Sequence, residues 1–231
     1  MKAVPIFAAA MLLALIPAHA QEVLAKIFEL ADEPHHTLLL QNDEVRVFHL
    51  KLKPGESTLQ HRHNRYYVYL SLGPVTISNE VHGRQPVITR LEAGELHTSK
   101  GGFILAERNN SSEPAELLVI EAIKTSSEGF AIPMGGFRFH EAAFGELFDA
   151  TVMRGYSMVV AVGGRTEKHT ENYDRLLVAT SDLHLRDTED GHTPSEFQMK
   201  AGEIRWVPRG MIHSLTNVGT SPATFITIEF N

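Results

Sequence analysis

The chain holds thirteen histidines and no cysteine. Any metal chemistry in it therefore runs through imidazoles and carboxylates, and disulfides, thiolate ligands and cysteine nucleophiles are excluded. Two short patterns stand out. His61 and His63 are separated by one residue, as are Glu167 and His169. Residues two apart on a strand point to the same face, so each pair can aim two donors at one point. Neither pair completes a site alone. A second segment must supply the rest, with His213 as the distant imidazole and Asp174 as the nearby acid in the C-terminal half.

The segments that would carry these residues are short alternating runs punctuated by turn residues, the pattern of a sandwich or barrel. Val45 to Leu52 runs up to Pro54-Gly55, Tyr66 to Leu72 up to Gly73-Pro74, and Tyr156 to Val162 up to Gly163-Gly164. Helix is scarce, and the best helical stretch is Glu141 to Phe148. The chain also repeats itself. Gly94, Gly102, Asn109, Pro114, Ala115, Ile120 and Glu121 recur 108 residues later as Gly202, Gly210, Asn217, Pro222, Ala223, Ile228 and Glu229, without a gap. A long period seen twice denotes a duplicated domain, not a solenoid. The expected organisation is an N-terminal unit over residues 21–123, a linker over 124–145 and a C-terminal unit over 146–231.

At the N-terminus, Lys2 precedes an apolar stretch from Ala3 to Ile16 and then Pro17-Ala18-His19-Ala20. A basic start, a short apolar run and a small-x-small end are the marks of a secretory signal peptide. Residues 1–20 are expected to be removed near Ala20, leaving a secreted or periplasmic protein with no membrane segment in its mature form. The formal charge of −7 includes no basic run, so nucleic acid and anionic lipid are not expected partners.

With these residues in place, the sequence resembles the cupin superfamily in a two-barrel form. Gly202, Pro208, Gly210, His213 and Asn217 match the family's second motif at every defined position. The N-terminal half keeps Gly94, Gly102 and Asn109 but has Lys100 in the proline position and Leu105 in the histidine position. Of the family's first motif it keeps Gly55, His61 and His63, then offers Tyr66, Tyr67 and Val68 where an acid would stand. The C-terminal half has Glu167-Lys168-His169 in place of His-x-His, Asp174 in place of the glutamate, and its opening glycine displaced to Gly163 or Gly164.

The resemblance implies an all-β chain of two tandem double-stranded β-helix, or jelly-roll, barrels. It also implies a single divalent metal, iron, manganese, zinc or nickel, in the C-terminal barrel on Glu167, His169, Asp174 and His213. The alternative is that these acids are solvated charges at a barrel mouth and that His213 bonds a backbone carbonyl. In the N-terminal half, His61 and His63 without an acid or a third histidine make a poor metal site. They would line a vestigial or ligand-binding pocket, with Tyr66, Tyr67 and Tyr69 nearby, unless His82 or His97 completes a site. His35-His36, after Pro34, looks like a solvated pair. The implied partner is a small molecule, and a homodimer is a fair expectation of this fold. Two function classes follow: a metal-dependent enzyme of the oxygenase, decarboxylase or isomerase kind, or a non-catalytic binding or structural protein.

Overall fold

A computed structural model describes residues 26–132 and 139–231. The expected leader, residues 1–20, lies outside the described residues. The N-terminal half contains β1 (Phe28–Glu29), β2 (His36–Gln41), β3 (Val45–Leu52), β4 (His61–His63) and β5 (Tyr67–Ser71), then β6 (Val75–Val81), β7 (Val87–Leu91), β8 (Leu96–Ser99), β9 (Phe103–Asn109) and β10 (Ala115–Ala122). The C-terminal half contains β11 (Phe139–Asp149), β12 (Met153–Thr166), β13 (His169–Thr170), β14 (Asp174–Ala179) and β15 (Leu183–Glu189), then β16 (Ser195–Met199), β17 (Ile204–Val207), β18 (Ile212–Asn217) and β19 (Ala223–Phe230). One 3-10 turn, Leu30–Asp32, precedes β2. No helix among the described residues is long and apolar enough to cross a membrane.

The N-terminal barrel is two five-stranded sheets, ordered β1-β4-β9-β6-β7 and β2-β3-β10-β5-β8. Alternating side chains from both meet in a core of Leu50, Leu52, Val75, Ile77, Leu91 and Leu117. In the C-terminal barrel the corresponding sheets merge, because the long β12 pairs with β19 along one stretch and reaches β18 at Arg165 opposite Thr216. Nine strands form that sheet. Both halves are all-β jelly-roll barrels, as expected.

The 108-residue offset runs far beyond the residues that revealed it. β6, β7, β8 and β10 map onto β15, β16, β17 and β19 end to end. Asn109 and Asn217 close the same loop with the same bonds: each side-chain amide donates to a carbonyl on β3 or β12 (Leu52, 3.1 Å; Val160, 2.9 Å), and each side-chain oxygen accepts an N–H two residues on. Thr58 and Thr166 likewise accept the N–H of Glu107 and Leu215, at 2.9 Å in both halves. A buried backbone donor must find a partner, and both barrels supply it at the same point. Gly55 and Gly163 have φ of 75° and 76°. That left-handed conformation is what a Cβ disfavours, so Gly163, and not Gly164, is the glycine that opens the motif.

The stretch expected to be helical, Glu141 to Phe148, is instead inside β11 and pairs antiparallel with β12. Its good helix formers lose to tertiary context. The exposed edge of β12 offers unpaired backbone groups, and Phe139 and Phe144 pack on the barrel core when the segment is extended. Two register shifts, at His140/Ala142 and Glu146/Phe148, adapt it to the curvature. Residues 139–145, assigned to the linker from the sequence, therefore belong to a barrel strand.

Candidate metal centre

β13 pairs with β18 in a register that places His169 directly opposite His213, with ring centroids 5.0 Å apart. Glu171 lies two residues beyond His169 and turns to the same side. Its Oε1 is 2.8 Å from Nε2 of His213 and 3.3 Å from Nε2 of His169. One atom from each of the three residues falls within a 4.8 Å cluster. His213 and Glu171 are each 2 % exposed.

The outer nitrogens of both imidazoles are fixed from behind. Nδ1 of His169 donates to the main-chain carbonyl of Glu167 at 2.8 Å, which leaves its Nε2 with a lone pair facing inward. Nδ1 of His213 is 2.8 Å from the carboxylate of Asp187 on β15. Imidazoles backed in this way by a carbonyl or carboxylate are the usual metal-binding arrangement, because the outer bond sets tautomer and ring orientation. Two imidazoles and one carboxylate on one side of an ion suit divalent iron or manganese, with positions left for substrate.

The electrostatics fit the same reading. Burial favours the neutral form of Glu171, but hydrogen bonds from His169 and His213 and the charge of Arg175 outweigh it and hold the carboxyl at about 2. Burial likewise opposes the charged form of His213, yet its bonds to Asp187 and Glu171 raise it to about 9. The cluster is thus shaped to hold a positive charge at the inner nitrogen of His213. Around it, Arg175 pairs with Glu171 and with Glu229 (2.7 Å), Glu229 pairs with Arg154 (2.6 Å), and Arg175 donates to the phenol of Tyr156 (2.7 Å). Burial pushes that phenol far up. The space in front of the cluster is about 30 Å3, walled by Phe139, Met158, Leu177, Leu215 and Phe225. One water needs roughly 10–15 Å3, so the cavity admits only a few atoms as packed.

Of the four residues that the sequence offered as ligands, the structure brings two into the cluster and leaves two outside it. His169 and His213 come together as expected. Glu167 is exposed and offers the site only its main-chain oxygen. Asp174 stands outside the cluster, accepting the N–H of Arg209 at 3.0 Å. The acid in the cluster is Glu171. The sequence reading paired His169 with the residue two before it, whereas the constant offset pairs His61-x-His63 with His169-x-Glu171. The signal was present in the repeat itself, since His61 and His169 are 108 residues apart, as are Gly55 and Gly163. In the N-terminal barrel, His61 and His63 are both fully buried and His61 faces Leu105 across the β4–β9 pair. His97 is engaged with half-buried Glu95, and His82 is exposed, so neither joins them.

No protein-family model and no curated protein sequence matches the chain. Solved structures do. A cupin 2 conserved barrel domain protein from Leptotrichia buccalis superposes with a TM-score of 0.57 at 12 % identity, over 85 % of this chain and 88 % of its own. The chain folds as a two-barrel cupin. An oxalate decarboxylase of Bacillus subtilis, described by its Mn(II) centres, superposes with a TM-score of 0.58 at 15 % identity, over 88 % of this chain and 76 % of its own. A salicylate 1,2-dioxygenase from Pseudaminobacter salicylatoxidans does so with 0.63 at 13 % identity, over 85 % and 77 %. At these identities the likeness carries the fold, and the site's chemistry rests on its own residues.

Proposed function

We propose that this cupin is an exported metal-dependent enzyme acting on a small, anionic, oxygen-rich molecule in its C-terminal barrel. The observation that carries the reading is the trio His169, Glu171 and His213, three inward-facing donors, two of them buried and His169 half-buried, with both imidazoles anchored from behind. A bound divalent ion would supply Lewis acidity toward an oxygen ligand. The chain's own groups set what that ligand is. With neutral histidines, the carboxylates of Glu171, Asp187 and Glu229 face the guanidiniums of Arg154 and Arg175, one negative charge in excess. A divalent ion reverses the sign, which favours an anionic oxygen donor. The apolar wall and the small cavity exclude water and limit substrate size. Iron and manganese are the expected metals from the donor set, and manganese also from the oxalate decarboxylase it resembles in fold.

The deciding measurement is elemental analysis of protein purified without chelator or histidine tag, beside the His169→Ala/His213→Ala variant. Iron or manganese bound by the parent protein and lost from this site in the variant supports the centre. Turnover is then sought by oxygen uptake and product analysis on small carboxylates, beginning with oxalate. A folded parent protein that loses no metal through the double substitution would rule the centre out.

A further inference from the structure

The N-terminal barrel carries a second inward-facing cluster that does not follow the family's motif. His36, from β2, was expected to be solvated, but its side chain is fully buried. It is drawn in by Glu33, whose carboxylate lies 2.7 Å from Nδ1 of His36 and also accepts the N–H of Leu59 at 3.0 Å. With Nδ1 bound to a carboxylate, the lone pair of His36 sits on Nε2, which is buried and has no protein hydrogen-bond partner. His61 is arranged the same way: its Nδ1 donates to the carbonyl of Leu59 at 2.8 Å. Its inward Nε2 lies 3.4 Å from Oε2 of Glu107 and 3.0 Å from Nε2 of His63. Glu107 sits two residues past Leu105 on β9, and so turns to the same face. One atom each from His36, His61 and Glu107 lies within 4.8 Å of the others.

Of the three converging acceptors, Nε2 of His61 faces Nε2 of His63 at 3.0 Å, Oε2 of Glu107 accepts from the Thr58 hydroxyl at 3.1 Å, and Nε2 of His36 has no donor. A buried acceptor without a donor is unfavourable, and a divalent ion held by that lone pair would engage His61 and Glu107 at the same time. We propose that His36, His61 and Glu107 bind a divalent transition-metal ion, making the N-terminal barrel a second metal centre independent of the one in the C-terminal barrel. His63 borders it. Where the family's motif position holds Leu105, Glu107 replaces the lost ligand from the same strand, and His36 enters from a strand outside the motifs. Because the ligands come from β2, β4 and β9, which belong to both sheets of the barrel, the ion would clasp the two sheets together.

The test uses the full chain stripped with chelator and reloaded with Zn2+, with bound zinc measured by mass spectrometry. The proposal expects two zinc ions per parent chain, one in His169→Ala/His213→Ala, one in His36→Phe/Glu107→Gln and none in the fourfold variant. The ring of Phe and the amide of Gln preserve volume. His82→Ala/His97→Ala should still hold two. As a second readout, Zn2+ should raise the Tm of His169→Ala/His213→Ala, and that rise should vanish when His36→Phe/Glu107→Gln is added. One zinc in the parent, absent from His169→Ala/His213→Ala, overturns this proposal and leaves the C-terminal centre standing. One zinc lost only through His36→Phe/Glu107→Gln supports it and removes the C-terminal centre. Two zinc ions that survive His36→Phe/Glu107→Gln also overturn it.

Discussion

His213 sits between two carboxylates, Asp187 behind and Glu171 in front, each 2.8 Å from a ring nitrogen. The outer bond orients the ring, and the inner nitrogen can hold either a proton shared with Glu171 or an ion. The two acids therefore have different tasks. Asp187→Asn keeps the ring in place but weakens the bond that orients it, and metal affinity should fall about 10–100-fold. Glu171→Gln removes a ligand and should abolish tight binding at this centre, leaving only what the N-terminal barrel holds. Glu167→Gln and Asp174→Asn, which lie outside the cluster, should bind as the parent does. Titration of the stripped protein with Mn2+, followed by its paramagnetic signal, separates these outcomes, and loss of binding in Glu167→Gln would contradict the site as built here. The two histidines were legible from sequence because a strong motif fixed His213 and strand alternation paired His169 with a neighbour two residues away. Alternation alone cannot say which neighbour, since Glu167 and Glu171 both satisfy it. The choice required the register of β13 against β18, or the offset carried through from His61.

At the scale of strands, the duplication preserves bonds that hold the frame and alters those that could do chemistry. Glu121 on β10 pairs with Arg46, and Glu229 on β19 pairs with Arg154, at corresponding places. The C-terminal barrel adds Arg175 where the N-terminal barrel has Tyr67, so Glu229 binds two guanidiniums and Glu121 one. Arg154 and Arg175 are 4 % and 8 % exposed in their side chains, against 24 % for Arg46. Removing Glu229 takes from buried Arg154 its carboxylate and leaves Arg175 with Glu171 alone, and breaking a buried pair from one side costs roughly 3–5 kcal/mol. Glu229→Ala should therefore lower the urea midpoint well beyond Glu121→Ala, whose stranded Arg46 can turn to water. Equal shifts would show that Arg175 adds nothing to the pair. The strands themselves were readable from alternation and turn residues in both halves. The exception was β11: Glu141-Ala142-Ala143 has helical propensity, and only the open edge of β12, a tertiary fact, draws it into the sheet.

Besides the core inside each barrel, the two barrels share a third. Val45, Val47, Val68, Leu70, Leu118 and Ile120 of the first meet Met153, Leu176, Val178, Ile226, Ile228 and Phe230 of the second in a single buried cluster. The contact is close to two-fold: a Cβ on Gly94 would stand 3.9 Å from Thr180 across the interface, and one on Gly202 would stand 3.0 Å from Leu72. Gly94 and Gly202 are repeat equivalents, as are Leu72 and Thr180, so each barrel presents to the other the face it receives, the pattern of an isologous dimer made within one chain. Such a face would be a large exposed apolar patch on either barrel alone, which ties the stability of each to the other. Ile120 and Ile228, equivalents buried at 0 % exposure, test this coupling. Each substitution to Ala should cost roughly 2–5 kcal/mol, and in calorimetry of the metal-free chain each should shift one common transition, with calorimetric and van't Hoff enthalpies equal. Two transitions, with Ile120→Ala moving one and Ile228→Ala the other, would mean that the barrels fold independently. The shared cluster would then be a contact between finished domains, not a core that both require.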